Sequence, residues 1–191
     1  NEASANESTI LDEEVNHQYS KSYEFEVDFN EYISKYITKD IKYFSLLRPL
    51  SELEITHIFS TLKKYHKVFR SCNVGSKEGI WCNSCAKCLF VCIMLSAYMS
   101  EQELFEIFNE NILDKVELYD IFKQLCGLED NKPFECVGTR DEVVVAISKA
   151  IALRKTNNEK LPVLYEKYLK EENVLIKDIN IEICYVDENI L

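Results

Sequence analysis

The chain has 191 residues, is 47% apolar and carries a net charge of −11, from 33 Asp and Glu against 22 Lys and Arg. That length and apolar fraction suffice for a buried core in one domain with a small appendage. The acidic balance, with no basic cluster interleaved with stacking aromatics, argues against nucleic acid as a partner. The longest apolar run, Leu89 to Leu95, falls well short of the ~18 to 20 residues that span a bilayer.

The chain opens at Asn1 in "NEASANEST", polar and small like an interior loop, and the expectation is a fragment of a longer protein. No signal-peptide pattern is present, so the eight cysteines are read as thiols of a cytosolic protein rather than as disulfides. The four glycines, Gly75, Gly79, Gly127 and Gly138, are too scattered to build a phosphate-cradling loop. Any nucleotide chemistry must therefore borrow another segment.

Along the chain, Phe25, Phe29, Tyr32, Ile33, Tyr36 and Ile37 recur at helical spacing and predict a docked helix with one broad apolar face. Pro49 bars a helix before it, and Ser51 with Glu54 forms a capping box for a second helix over about 52 to 66. "LFVCIMLSAYM" reads as a buried helix, and Ser100 with Glu103 starts another over "EQELFEIFN". "VELYDIFKQLCG" ends on Gly127, the residue best suited to a left-handed helix terminus. Thr139 and Glu142 cap a helix that runs to about Lys155, a short helix covers "LPVLYEKYLKEE", and "DINIEICYV" alternates like a half-buried strand. The balance is mostly helical, so the strands of any parallel sheet would lie mainly upstream of Asn1.

Cys72, Cys82, Cys85 and Cys88 form C-x9-C-x2-C-x2-C, with the first on a loop and the last entering a helix. Four thiolates at this spacing suit a closed tetrahedral Zn²⁺ cage, with Asn83, Ser84, Gly75 and Gly79 supplying the turns. The two C-x-x-C pairs share Cys85, which suits a cage better than a redox dithiol; an iron–sulfur cluster could use the same four ligands. Cys92, one turn beyond Cys88 in an apolar run, reads as a small core hydrophobe, as do Cys126 and Cys184.

Two polar segments remain. "NEASANES" with "EEVNHQYSKS" gathers Asn1, Ser4, Asn6, Glu7, Asn16, His17, Gln18, Ser20 and Lys21, directional hydrogen bonders suited to a nucleotide or peptide, though a solvated loop reads the same way. "KPFECVG" sets Glu135 and Cys136 between Pro133 and Gly138, just before a helix N-terminus where a thiol pKa can fall or an anion bind; a turn holding a buried cysteine is the plain alternative. Arg48 beside Pro49 could fork a carboxylate or phosphate, or pair with a neighbouring acid.

Taken together, "NEASANES", "VNHQYSKS", "YFSLLRPLSE", "SCN" followed by "WCNSCAKCLFV", and "KPFECVG" resemble, in that order, the C-terminal half of the UDP-N-acetylmuramoyl-L-alanyl-L-glutamate epimerase family of bacterial peptidoglycan synthesis. That family is similar in its nucleotide-binding part to the PP-loop ATP pyrophosphatases. The resemblance implies an α/β fold of which this chain is the mostly helical C-terminal portion with a zinc knuckle. Residues 1–70 would complete the nucleotide-binding domain, 71–155 form the knuckle and helical domain, and 156–191 add a terminal helix and strand. It further implies ATP-dependent inversion of the terminal L-Glu of UDP-MurNAc-L-Ala-L-Glu, with AMP and pyrophosphate released. His17, Glu135 and Cys136 are then the proton-transfer candidates. Asn1, Glu2, Ser4, Asn6, Gln18, Ser20, Lys21, Arg48, Lys132 and Arg140 are candidates for the nucleotide and the substrate's anionic groups. The Ser-Gly-Gly-x-Asp-Ser pyrophosphate loop is absent from the sequence, so ATP and Mg²⁺ are expected to bind with an N-terminal segment of the same protein. A different PP-loop enzyme acting on tRNA or a deazapurine, or a non-catalytic zinc module, would share parts of this pattern.

Overall fold

The computed structural model describes residues 9–10, 13–14, 19–133, 135 and 137–171. Two short strands, β1 (Thr9–Ile10) and β2 (Glu13–Glu14), pair antiparallel. Among the described residues, everything after them is helix and loop. The first helix, α1 (Tyr23–Tyr36), begins where the Ser22 hydroxyl accepts the Phe25 amide. The second, α2 (Glu52–Thr61), begins at the expected Ser51–Glu54 box, and α3 (Lys63–His66) follows after a break at Leu62. Then come α4 (Ala86–Ser96), α5 (Glu101–Phe108), α6 (Tyr119–Cys126), α7 (Arg140–Thr156) and α8 (Val163–Glu171). The boxes expected at Ser100–Glu103 and Thr139–Glu142 are both closed, and Gly127 ends α6 at φ 84°. Each such hydroxyl cap stabilises its helix by about 1 kcal/mol because it satisfies an amide the helix leaves unpaired.

The break at Leu62 splits the single helix expected over 52–66. Phe59's carbonyl accepts the Leu62 amide at 2.9 Å, a tightened turn, and also the Nε2–H of His66 at 2.9 Å. This draws the His66 ring onto Phe59, which also meets Phe69. Aromatic packing around one carbonyl thus overrides local helix continuity.

At the centre lies α4, apolar all round: Leu89 and Ile93 are wholly buried and Phe90, Met94 and Leu95 nearly so. It packs against α2, α5, α6 and, most extensively, α7, whose small Ala146 and Ala150 stand in its buried face beside Val143 and Ile147. Each large aliphatic side chain removed from water here contributes roughly 1.5 to 3 kcal/mol before entropy is set against it. The α8 helix adds Leu164, Tyr165 and Tyr168 to the same core, and Tyr165 Oη and Ser96 Oγ lie 2.6 Å apart in a buried hydrogen bond. Cys92 and Cys126 sit in this core as expected, and burial pushes the Cys92 thiol up to about 12. The strand expected over "DINIEICYV", with Cys184, lies outside the described residues.

The α1 helix behaves differently from the expectation of a docked helix. Its only buried residue is Ile33, while Tyr32, Tyr36 and the following Ile37 are exposed. Its packing is with its own returning loop. Phe25 and Phe29 stack at 5.3 Å and both meet Tyr43 edge-on, while the Asn30 amide bonds the Tyr43 backbone in both directions at 2.7 and 2.8 Å. No described helix is long and apolar enough to cross a membrane.

Candidate functional site

The loop from residue 70 to 85 folds back on itself to bring four sulfurs together. Arg70 Nε donates to the Gly79 carbonyl, Ile80 N to the Gly75 carbonyl, and Gly79 and Asn83 take positive φ angles of 66° and 54° to reverse the chain. Gly75 has no alternative residue: a Cβ there would collide with the Ile80 carbonyl oxygen. Trp81 packs on Phe69 and Phe108, and Asn83 ties the turn to the core through its side-chain amide on the Phe108 carbonyl at 2.9 Å. Cys85 is the N-cap of α4, so Cys88 lies in the first helical turn beside it.

As a result the Sγ atoms of Cys72, Cys82, Cys85 and Cys88 all lie within 4.8 Å of one another. The separations are 3.5 Å for Cys85–Cys88, 3.7 Å for Cys82–Cys88 and 4.0 Å for Cys72–Cys85. Four sulfurs at a Zn–S distance of ~2.3 Å stand about 3.8 Å apart at the corners of a tetrahedron. The geometry therefore fits one four-coordinate ion. A cluster with several irons would place the thiolates on different metals and spread them further.

Backbone donors already face these sulfurs. Gly75 N and Cys82 N point at Cys72 Sγ at 3.1 and 3.4 Å, and Ser84 Oγ approaches Cys82 Sγ at 3.5 Å. Burial raises the Cys82 thiol, but the hydroxyl and amide of Ser84 with the neighbouring thiols outweigh it and bring it down to about 6. For Cys85 and Cys88, burial is the leading cause of an upward shift. With four sulfurs and no open position, the arrangement can hold a soft cation but cannot activate water.

Among the other expected site residues, Glu135 lies against this centre. Its Oε2 accepts the Lys87 amide at 3.0 Å, in the first turn of α4, and the Asn73 side-chain amide at 3.1 Å. One carboxylate thus joins "KPFECVG" to the cysteine loop and sits where the α4 dipole favours negative charge. Asn73 did not stand out in the sequence; its one signal was its position next to Cys72.

Arg48 meets the "VNHQYSKS" segment instead. It donates to the Lys21 carbonyl at 3.1 Å and pairs with Glu26 Oε2 at 2.6 Å, while Glu26 also accepts the Ser45 amide. Lys21 and Ser20 belong to a short 3₁₀ turn, Tyr19–Lys21. Arg140 donates to the carbonyls of Glu129 and Asp130, closing the loop that holds half-buried Lys132. Asn1, Glu2, Ser4, Asn6, His17, Gln18 and Cys136 lie outside the described residues.

Comparison with known proteins adds a second line. Residues 68–176 match the family model described as the MurL C-terminal domain, and residues 1–46 match the MurL N-terminal domain. Among curated proteins, the chain is 39% identical over 147 residues to a UDP-N-acetyl-alpha-D-muramoyl-L-alanyl-L-glutamate epimerase of Xanthomonas oryzae pv. oryzae, covering 72% of this chain and 33% of the relative. Proteins of the same name from Micromonospora and Salinispora tropica are 36% and 35% identical over 154 residues, with 78% of this chain and 34% of each relative covered. The chain thus spans about a third of the length of these curated relatives. No solved structure matches it significantly.

Proposed function

Because the chain belongs to the MurL family, we propose that it is part of an enzyme that inverts the terminal L-Glu of UDP-MurNAc-L-Ala-L-Glu to D-Glu in peptidoglycan precursor synthesis. The observation that carries this reading is the match to both family domains, joined to 35 to 39% identity with three epimerases of that name. Residues 1–70 then complete a PP-loop nucleotide-binding domain, 71–155 form the metal-bearing helical domain, and 156–191 are its extension.

The chemistry accounts for ATP as co-substrate. The proton on a carbon beside an ionised carboxylate is very weakly acidic. Attack of that carboxylate on the α-phosphorus of ATP, bound with Mg²⁺ by the N-terminal segment, expels pyrophosphate and leaves an acyl-adenylate in which the carboxyl group no longer carries its charge and its carbonyl is an electron sink. A base then removes the α-proton, an acid returns one to the opposite face, and water cleaves the mixed anhydride to release AMP and the D-isomer. Glu135, Cys136 and His17 supply the proton-transfer candidates. Ser20, Lys21, Lys132, Arg140 and the polar groups of Asn1, Glu2, Ser4, Asn6 and Gln18 supply those for the nucleotide and the substrate's anions. Arg48, already committed to Glu26 and the Lys21 carbonyl, holds α1 to that binding segment.

Zn²⁺ would be held by Cys72, Cys82, Cys85 and Cys88, and when bound it supplies a cross-link rather than a reactive ligand. The Cys72 loop and the start of α4 are thereby fixed to one point, and with them the Glu135 bonds that locate "KPFECVG". The test uses the full-length enzyme with ATP and the UDP-dipeptide in deuterated water. Deuterium at the glutamate α-carbon is expected; product formed without it would exclude the proton-transfer reading.

A further inference from the structure

Among the proton-transfer candidates of the reading above, Glu135 has its carboxylate oriented by a side chain to which that reading gives no role. Its Oε2 accepts two hydrogen bonds, from the Lys87 amide at 3.0 Å and from the Asn73 side-chain amide at 3.1 Å. Oε1 accepts none among the described residues. Both donors stand beside cysteines of the cage, since Asn73 follows Cys72 and Lys87 precedes Cys88. Around Glu135 the described backbone bonds are local turns, from Glu135 N to the Pro133 carbonyl and from Val137 N to the Glu135 carbonyl, each 2.8 Å. Such turns set the course of the main chain and leave the heading of a long side chain open. One donor on a carboxylate oxygen still lets the group swing about that bond. A second donor, 62 positions away in sequence, removes that freedom.

We propose that Asn73 is a positioning residue for the epimerisation, acting through Glu135, an assignment that rests on the epimerase reading and on the part of Glu135 in it. Asn73 is itself held in place: its carbonyl accepts the Ser76 hydroxyl at 3.3 Å, and Cys72 Sγ, one residue before it, accepts the Gly75 amide at 3.1 Å. Its side chain is not what closes the cysteine loop, because Arg70 on the Gly79 carbonyl and Ile80 on the Gly75 carbonyl do that independently. Being exposed, that side chain supplies direction rather than packing. With Oε2 filled, the open lone pairs of Oε1 can take the α-proton of the acyl-adenylate while the C–H electron pair passes to the activated carbonyl; once protonated, the same oxygen can return a proton to the carbon. Proton transfer of this kind depends on placement, and a shift of about 1 Å costs on the order of 100-fold in rate. Aspartate at position 73 would keep the shape but offer only acceptors, and would turn the attraction into repulsion.

The experiment places Asn73→Asp and Asn73→Ala in the full-length enzyme and separates two steps. Hydroxylamine traps the acyl-adenylate formed from ATP and the UDP-dipeptide, and deuterated water reports proton transfer at the glutamate α-carbon; zinc content and melting temperature are followed alongside. In both variants kcat for deuterium incorporation should fall ~10- to 100-fold, further for Asp than for Ala, with KM for ATP and the UDP-dipeptide within about twofold. Trapping of the acyl-adenylate and zinc content should match those of the unaltered enzyme. Incorporation within about twofold of the unaltered rate in both variants overturns the assignment. So does a loss of trapping and incorporation alike that tracks a lower melting temperature or lost zinc, which would make the contact merely structural. If the Asp variant fails to fold, the Ala variant decides alone. An unaltered enzyme that epimerises without taking up deuterium or forming a trappable adenylate would sink the reaction reading itself, and the role of Asn73 with it; failure of the assignment alone leaves both signals of the unaltered enzyme intact.

Discussion

Replacing Glu135 with Ala removes one carboxylate oxygen that serves two donors, the Lys87 amide at 3.0 Å and the Asn73 side chain at 3.1 Å. A hydrogen bond to a charged acceptor contributes ~1.5 to 3 kcal/mol when well buried, and a charge at a helix N-terminus ~0.3 to 1 kcal/mol. Glu135 is half-buried and Asn73 is exposed, so both figures are discounted for solvent. The expected loss is about 2 kcal/mol, equivalent to roughly 4 to 8 °C in melting temperature at this chain length. Zinc release to a colorimetric chelator should speed up in parallel, because the Asn73 end of the bond lies next to Cys72. Glu135→Gln keeps a carbonyl able to accept both donors, and should melt within about 1 kcal/mol of the unaltered chain. In the full-length enzyme, a Gln variant that keeps its stability but loses epimerisation would assign Glu135 to proton transfer as well as to positioning. An Ala variant with unchanged melting and unchanged zinc release would refute the tether.

Three further outcomes are expected. Protein purified under reducing conditions should carry about one zinc per chain; Cys85→Ser should abolish it and Cys92→Ser should retain it, and unchanged metal in Cys85→Ser would remove that residue from the ligand set. Gly75→Ala should lower zinc affinity ~10- to 100-fold in a competition titration, since the Ile80 carbonyl must move and carry the Gly75 amide off Cys72 Sγ; equal affinity would mean that the loop adapts freely. The hydrogen bond from Arg48, with that from the Ser45 amide, lowers Glu26 below its ordinary 4.5. With the folded value depressed, the contribution is complete above 4.5 and is lost as pH falls through the folded value. Acid titration of the Tyr43 resonances should therefore show α1 holding its loop below pH 4.5, and Arg48→Met should move the loss up toward that value; an unmoved profile would exclude the pair as its cause.

The local chemistry of the helices was legible in residue order. Ser51–Glu54, Ser100–Glu103 and Thr139–Glu142 name their own helix starts because a cap needs only neighbours three positions apart. Gly127 names an end because the left-handed conformation it adopts is a property of the residue itself. The four-cysteine constellation was legible for a similar reason: ligand spacing is a local constraint, and the structure draws all four sulfurs within 4.8 Å. Cys92 separated from them by falling within an unbroken apolar run.

What pairs over distance could not be read from the chain. The break at Leu62 depends on where His66 and Phe69 find Phe59, and the exposure of Tyr32 and Tyr36 depends on α1 packing with its own loop instead of the α4–α7 core. Periodicity says that a face is apolar, not what covers it. The bond from Glu135 to Lys87 spans 48 positions, and Arg154 looked like an ordinary basic residue closing a helix. Residue order determined the caps, the turns and the four-cysteine pattern, because these are set by short-range geometry. Tertiary packing alone decided that Glu135 braces the cysteine centre and that Arg154 is buried, its Nε and Nη1 without a hydrogen-bond partner among the described residues, because burial and long-range partners exist only once the helices have met.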